Sequence, residues 1–248
     1  MEYFLNYLLV FGVYVGYITI VSFIIIGLRH LFKIKDYVYR KLLHLAAVTS
    51  IFPLILLSNT YWIALLVCLT LVIGITVGLL IFQPLHFYDR LFVEKKKYST
   101  IIGFALFYAV VALLIALFWW LKGDGYKYII YTSIIAWGFG DAFAAMIGIS
   151  IGEPKLQGPL IEGNKSIAGC VAMFIASSIS SFIVLLIFGP YIWYFALLIS
   201  VTIGLLASST ELFTKFNLDN VTVPLIISLF LFIISLLNLR SFLRSEML

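Results

Sequence analysis

Along its whole length the chain alternates between apolar runs of roughly twenty residues and short polar interruptions. A helix rises ~1.5 Å per residue, so ~20 apolar residues cross a hydrocarbon core ~30 Å thick. The runs at 4–28, 42–58, 61–82, 100–121, 128–148, 166–188, 191–209 and 222–239 are therefore predicted as eight membrane-spanning helices. The short second run widens the range to seven to nine. Ser58-Asn59-Thr60 and Gly189-Pro190 leave so little chain between runs that the flanking helices must be antiparallel neighbours. The predicted fold is an all-α polytopic integral membrane helix bundle, one domain over residues 1–248. Loops 29–41, 83–99, 149–165 and 210–221 form its polar face. The two halves show no inverted symmetry of the kind many secondary transporters carry.

Composition removes the soluble alternative: 64% of residues are hydrophobic, 11% are charged and the mean hydropathy is +1.16. Charge then sets orientation. The four named loops hold 5, 4, 2 and 1 Lys+Arg, twelve in all, whereas the other side holds Lys122, Lys127, Arg240 and Arg244. The positive-inside rule places the twelve in the cytoplasm and both termini outside. The net charge of +5 follows from this topology and indicates no nucleic-acid partner. MEYFLNYLLV lacks the basic n-region of a cleaved signal, so it is expected to be a retained first span. Cys68 and Cys170 lie inside apolar runs and are expected to be buried thiols, in neither a disulfide nor a metal site.

Candidate chemistry concentrates between Trp137 and Gly169. Asp141 interrupts an apolar run, and a carboxylate at membrane depth costs ~2.5–3.5 kcal/mol on insertion scales, so such residues usually serve a function. Asp141, Ala145, Gly148 and Gly152 follow helical spacing, with Ala144 beside them, and small residues at that spacing admit a close neighbouring helix. The carboxylate is expected to face the bundle, either satisfied by backbone or lysine or holding a divalent cation beside phosphate. Glu162-Gly163-Asn164-Lys165-Ser166 then leads into the next run. A helix start with free N–H groups, a lysine and a hydroxyl suits phosphate, although a plain helix cap with a snorkelling lysine has the same sequence. The Walker A pattern is absent.

Arg40, Lys41 and His44 share one helix face, either as topology anchors or as a phosphate-facing patch. Lys95-Lys96-Lys97, in an amphipathic loop with Phe87, Tyr88 and Phe92, reads as a solvated basic run at the membrane interface. Glu211 and Lys215 have ion-pair spacing, and Asp219-Asn220 has turn and cap character. They nevertheless add carboxylates on the membrane face where Asp141 lies, as candidates for a metal ligand and a general base.

Taken in order, RKLLH, GDAFAAMIG followed by glycine and lysine, NKSIAG, and ELF with LDNVTVPL resemble the CTP-dependent polyprenol kinase family. That family comprises dolichol kinases, phytol kinases and CTP-dependent diacylglycerol kinases, and the resemblance runs from about Arg40 to Leu225. It implies a lipid kinase using CTP and Mg²⁺ on a lipid alcohol. The metal would sit on Asp141 and Glu211, and Asp141, Asp219, Glu211 and Lys165 would be catalytic. Nucleotide contacts would come from Gly140, Gly148, Gly152, Lys155, Asn164, Lys165, Ser166, Gly169 and Asn220, joined by Arg40, Lys41 and His44. Gly152-Glu153-Pro154 departs from the family where a further basic residue is common, and Ala168 where many members have Glu.

The resemblance implies a multi-pass protein with a cytoplasmic active site, in the cell membrane of a prokaryote or the endoplasmic reticulum or plastid membrane of a eukaryote. Its partners would be nucleotide, lipid alcohol and membrane lipids, and a homodimer stays open. Phosphatidate cytidylyltransferases share the middle pattern, but LDNVTVPL stands where they carry KD, HGG and DRxD blocks. From another class, a lipid or ion transporter would need polar groups on both faces, and the external loops are short and bland.

Overall fold

A computed structural model of the chain describes residues 1–82, 99–156, 158, 161, 165–214 and 218–237. The Lys95-Lys96-Lys97 run, Glu162, Gly163, Asn164, Lys215 and the C-terminal basic residues lie outside the described residues. Among the described residues, eight helices are long and apolar enough to cross a membrane, as the hydropathy pattern predicts. The chain forms two compact units, Met1–Leu121 and Lys122–Leu248.

The first unit contains α1 (Glu2–Phe32), α2 (Asp36–Thr49), α3 (Ile51–Leu57), α4 (Tyr61–Phe82) and α5 (Ser99–Leu114). A π-helical turn, Ile115–Trp120, extends α5. The polar segment predicted at 29–41 is mostly helical: α1 runs to Phe32, and only Lys33–Lys35 separate it from α2. Lys33 closes α1 in the left-handed conformation (φ 48°). The corner is held by an Arg29–Asp36 ion pair of 2.8 Å, with the Arg29 guanidinium 4.2 Å from the Tyr39 ring centre.

The second span is broken between α2 and α3 because Pro53 lies in it. Proline has no N–H for the carbonyl four residues back and its ring crowds that carbonyl. Thr49 and Ser50 at the break turn their hydroxyls onto Leu45 and Ala47 carbonyls at 2.7 and 2.5 Å. Polar groups in hydrocarbon need internal partners, and this unit supplies them between helices. Tyr14 on α1 meets Ser50 at 2.5 Å and Tyr108 on α5 at 2.7 Å. Tyr17 meets Thr49 at 2.7 Å, and the Asn6 amide donates to the Leu57 carbonyl at 2.8 Å. Cys68 is buried in α4 as a free thiol.

The second unit packs α6 (Lys127–Ile151), α7 (Ile167–Phe188), α8 (Trp193–Phe213) and α9 (Asp219–Leu236). α6 is its central helix, fully buried from Tyr128 to Gly138. Small residues set the helix spacing. A side chain on Gly140 would strike the Ser177 hydroxyl. One on Gly169 would come within 3.1 Å of the Ala144 carbonyl, and one on Gly148 within 3.2 Å of Ser166 Oγ. The α7–α8 seam is as tight, since a Cβ on Gly204 would lie 2.6 Å from the Phe174 carbonyl oxygen. Hydroxyls tie these seams together: Ser177 donates to the Ala136 carbonyl at 2.8 Å and Ser208 to the Cys170 carbonyl at 2.9 Å. These cross-contacts run in opposite chain directions, so the neighbours are antiparallel, as the short turns require.

Candidate functional site

The antiparallel order brings the end of α6, the start of α7, the end of α8 and the start of α9 to one end of the second unit. Gly152 begins the site. At φ −61° and ψ 33° it takes the chain off α6, and any Cβ there would run into the Gly148 carbonyl. The departing strand comes back beside its own start. Lys155 forms an antiparallel bridge with Ser166, and the Leu156 amide donates to the Lys165 carbonyl at 2.9 Å.

Ser166, only 4% exposed, then caps α7. Its backbone is extended and its Oγ accepts from the Gly169 amide at 3.1 Å, satisfying one of the orphan donors of a helix start. The cap reading of Ser166 is thus realised. The same hydroxyl also lies against Gly148, so a single atom closes both the helix start and the α6–α7 seam.

Lys165 Nζ pairs with Glu211 Oε1 across 46 residues of sequence. The side chains are 20% and 10% exposed. Glu211 lies in the last turn of α8, and Lys165 stands just ahead of the first turn of α7. Each charge is at the unfavourable end of its own helix, where the macrodipole contributes ~0.3–1 kcal/mol of the wrong sign. Pairing across the seam offsets both. The Lys215 partner suggested by i,i+4 spacing lies outside the described residues.

Asp219 and Asn220 are the first two residues of α9, both partly buried, with Asp219 in the first turn where a negative charge is favoured. Thr222 Oγ1 and Thr214 Oγ1 meet at 3.1 Å and hold the α8 end to the α9 start. Glu211 and Asp219 are therefore near one another in chain and at the same end of the unit.

Asp141 sits deeper. It precedes Gly148 by seven residues, about 10 Å along the axis at ~1.5 Å per residue. Its neighbour Gly140 lies against Ser177, in the serine-rich middle of α7. The stripe that meets α7 is Gly140–Ala144–Gly148, one residue and ~100° round the helix from the Asp141-led stripe predicted above. Asp141 is partly buried on the flank of that contact. Among the described residues no group of three or more His, Cys, Asp and Glu could hold a metal ion. Mg²⁺ ordinarily takes one or two carboxylates with phosphate oxygens, so the residues fit it only together with a bound phosphate.

Gly140 and Gly169 are buried, Gly148 and Gly152 partly so, and Lys155 is exposed. Asn164 lies outside the described residues. Arg40, Lys41 and His44 lie in α2 of the first unit, all partly buried. Sequence reasoning set Ala144 beside the stripe rather than in it, and overlooked Ser208 and the Thr214–Thr222 pair. A small residue at i+4 between Gly140 and Gly148 was the available signal for Ala144.

This is a polytopic membrane bundle whose second unit carries a capped helix start, a part-buried lysine–glutamate pair and Asp219 at one end, with a part-buried Asp141 deeper along α6. Over 137 residues, 54% of this chain, the sequence is 30% identical to a phytol kinase from Synechocystis sp.. The match spans about half (53%) of that curated relative's length. No protein-family model matches the chain. No solved structure matches it.

Proposed function

We propose that the protein is a membrane-embedded prenol-type kinase. It transfers the γ-phosphate of a nucleoside triphosphate, CTP by the family resemblance, to the hydroxyl of a lipid alcohol. The acceptor is an isoprenoid alcohol of dolichol, polyprenol or phytol type, or diacylglycerol. The observation that carries the reading is the meeting of Lys165 with the Ser166-capped start of α7 and Glu211 at the rim of an apolar bundle. The similarity to a phytol kinase points the same way.

Phosphoryl transfer asks a protein mainly for positioning and charge neutralisation. Lys165 and the α7 start hold the triphosphate, with Lys155, Asn220 and the glycines of the second unit as further contacts and Asn164 added by the resemblance; Arg40, Lys41 and His44 are a phosphate-facing patch of the first unit. Asp141, with Glu211, would hold Mg²⁺ together with the bound nucleotide, and the ion would supply charge neutralisation for the transferring group. The lipid alcohol enters from the bilayer with its hydroxyl at the cytoplasmic interface. Its oxygen forms a bond to the γ-phosphorus as the bond from that phosphorus to the β–γ bridging oxygen breaks. The diphosphate leaves, and the hydroxyl proton passes to the Asp219 carboxylate.

The test uses purified protein, Mg²⁺ and a lipid-alcohol extract with CTP labelled at either the γ or the α phosphate. Label reaching lipid from the γ position alone is the expected result. Label from the α position alone, with pyrophosphate released, would make the protein a cytidylyltransferase. Transfer of neither label, with ATP equally inert, would overturn an enzymatic reading in favour of transport.

A further inference from the structure

We infer that Glu211 is an internal stand-in for a nucleotide phosphate: its carboxylate pairs with Lys165, and an anionic phosphate oxygen takes that place on binding. The inference rests on the nucleotide reading above and assigns Glu211 an affinity-setting role within it.

Three observations support it. Glu211 is 7% exposed and lies in the last turn of α8, where its own helix disfavours a negative charge, so Lys165 is the group that offsets that charge. Lys165 stands at the positive end of α7, an end that attracts any anion and disfavours a cation, so the lysine gains from whichever anion it meets. Glu211 ends one helix and Lys165 stands just ahead of another, joined at the rim rather than within the seam, and the lysine side chain is 20% exposed. An incoming phosphate can therefore reach it without opening the α7–α8 contact at Gly204. Carboxylate and phosphate present the same chemistry to an ammonium, namely anionic oxygen acceptors. A compact lysine charge with three donors serves them in competition when one is already held.

Glu211 thus opposes metal-free nucleotide, and keeps Lys165 positioned and its charge compensated until phosphate arrives. Removing the carboxylate leaves Lys165 with no counter-ion in the pair and so favours an external one.

The experiment measures binding of CTP and of inorganic pyrophosphate in EDTA to detergent-purified wild type, Glu211→Gln, Lys165→Met and the double variant. Glu211→Gln is expected to bind both probes at least about tenfold more tightly than wild type and to show a lower nucleotide KM. Lys165→Met is expected to bind more weakly, and the gain from Glu211→Gln should vanish in its background. Glu211→Asp keeps the charge on a shorter arm, so the pair is weaker. It should tighten binding by an intermediate factor, and it decides the matter if Glu211→Gln does not fold. Unchanged or weaker binding by the folded Glu211 variants overturns the inference, as does a gain that persists without Lys165. Wild type that binds neither CTP nor ATP, with or without Mg²⁺, overturns the kinase reading and this inference with it.

Discussion

The α7–α8 seam gives the most quantitative prediction, because what blocks it is backbone. A Cβ placed on Gly204 lies 2.6 Å from the Phe174 carbonyl oxygen, and ordinary contact begins near 3.4 Å. Gly204→Ala must therefore part the two helices by about 0.8 Å at that point. Four residues further along α8, Ser208 Oγ reaches the Cys170 carbonyl at 2.9 Å. The same displacement carries this pair beyond hydrogen-bonding range. Overpacking costs about 1–3 kcal/mol and the lost hydrogen bond about 1 kcal/mol, so the sum is about 2–4 kcal/mol. At 1.4 kcal/mol per decade this lowers the folding equilibrium of the unit roughly thirtyfold or more.

The assay is thermal unfolding in detergent, where a loss of this size lowers Tm by roughly 5–15 °C. Gly74→Ala is the control, because nothing lies within 4 Å of a Cβ there. It should be neutral or gain about 0.5–1 kcal/mol from helix propensity. A Gly204→Ala protein melting within a degree of wild type would refute the claim that the glycine sets the helix spacing.

Asp141→Asn should lower turnover by about a hundredfold or more, the range seen when a charge-stabilising group is removed, and raise the Mg²⁺ concentration needed for half-maximal rate; full turnover with unchanged metal dependence would remove Asp141 from the site. Ser166→Ala removes the α7 cap and should cost about 1 kcal/mol in thermal or denaturant unfolding, while nucleotide KM rises with little change in kcat. Tyr14→Phe strips a hydroxyl that meets both Ser50 and Tyr108. Ser50 keeps the Ala47 carbonyl, so the cost of about 1–3 kcal/mol falls on the buried Tyr108 hydroxyl, and an unchanged Tm would show that this hydroxyl finds another partner.

Hydropathy alone located all eight spans, but their ends were less legible. The second span begins at Asp36 rather than near residue 42, because a helix continues past the hydrocarbon as long as its amides need partners and an Arg29–Asp36 pair can anchor the corner. The break ahead of α3 was written in Pro53, whereas the left-handed close of α1 at Lys33 carried no glycine to announce it. In the candidate site, the Ser166 cap was readable from local spacing. The Asp141 stripe was misplaced by one residue, since spacing of small residues admits two overlapping stripes through Gly148 and only the neighbour's position selects between them.

What this sequence determined by itself was the membrane class, the number of spans and the antiparallel hairpins. These follow from run length, polarity and turn length, all of which act locally along the chain. What only the tertiary structure decided was partnership: Lys165 with Glu211, Tyr14 with Tyr108, and Gly204 against Phe174. The physical reason is the solvent. In a bilayer, helices are apolar on every side, so no amphipathic stripe marks the packing face, and neighbours are chosen by close steric approach and scattered polar contacts that no periodicity records.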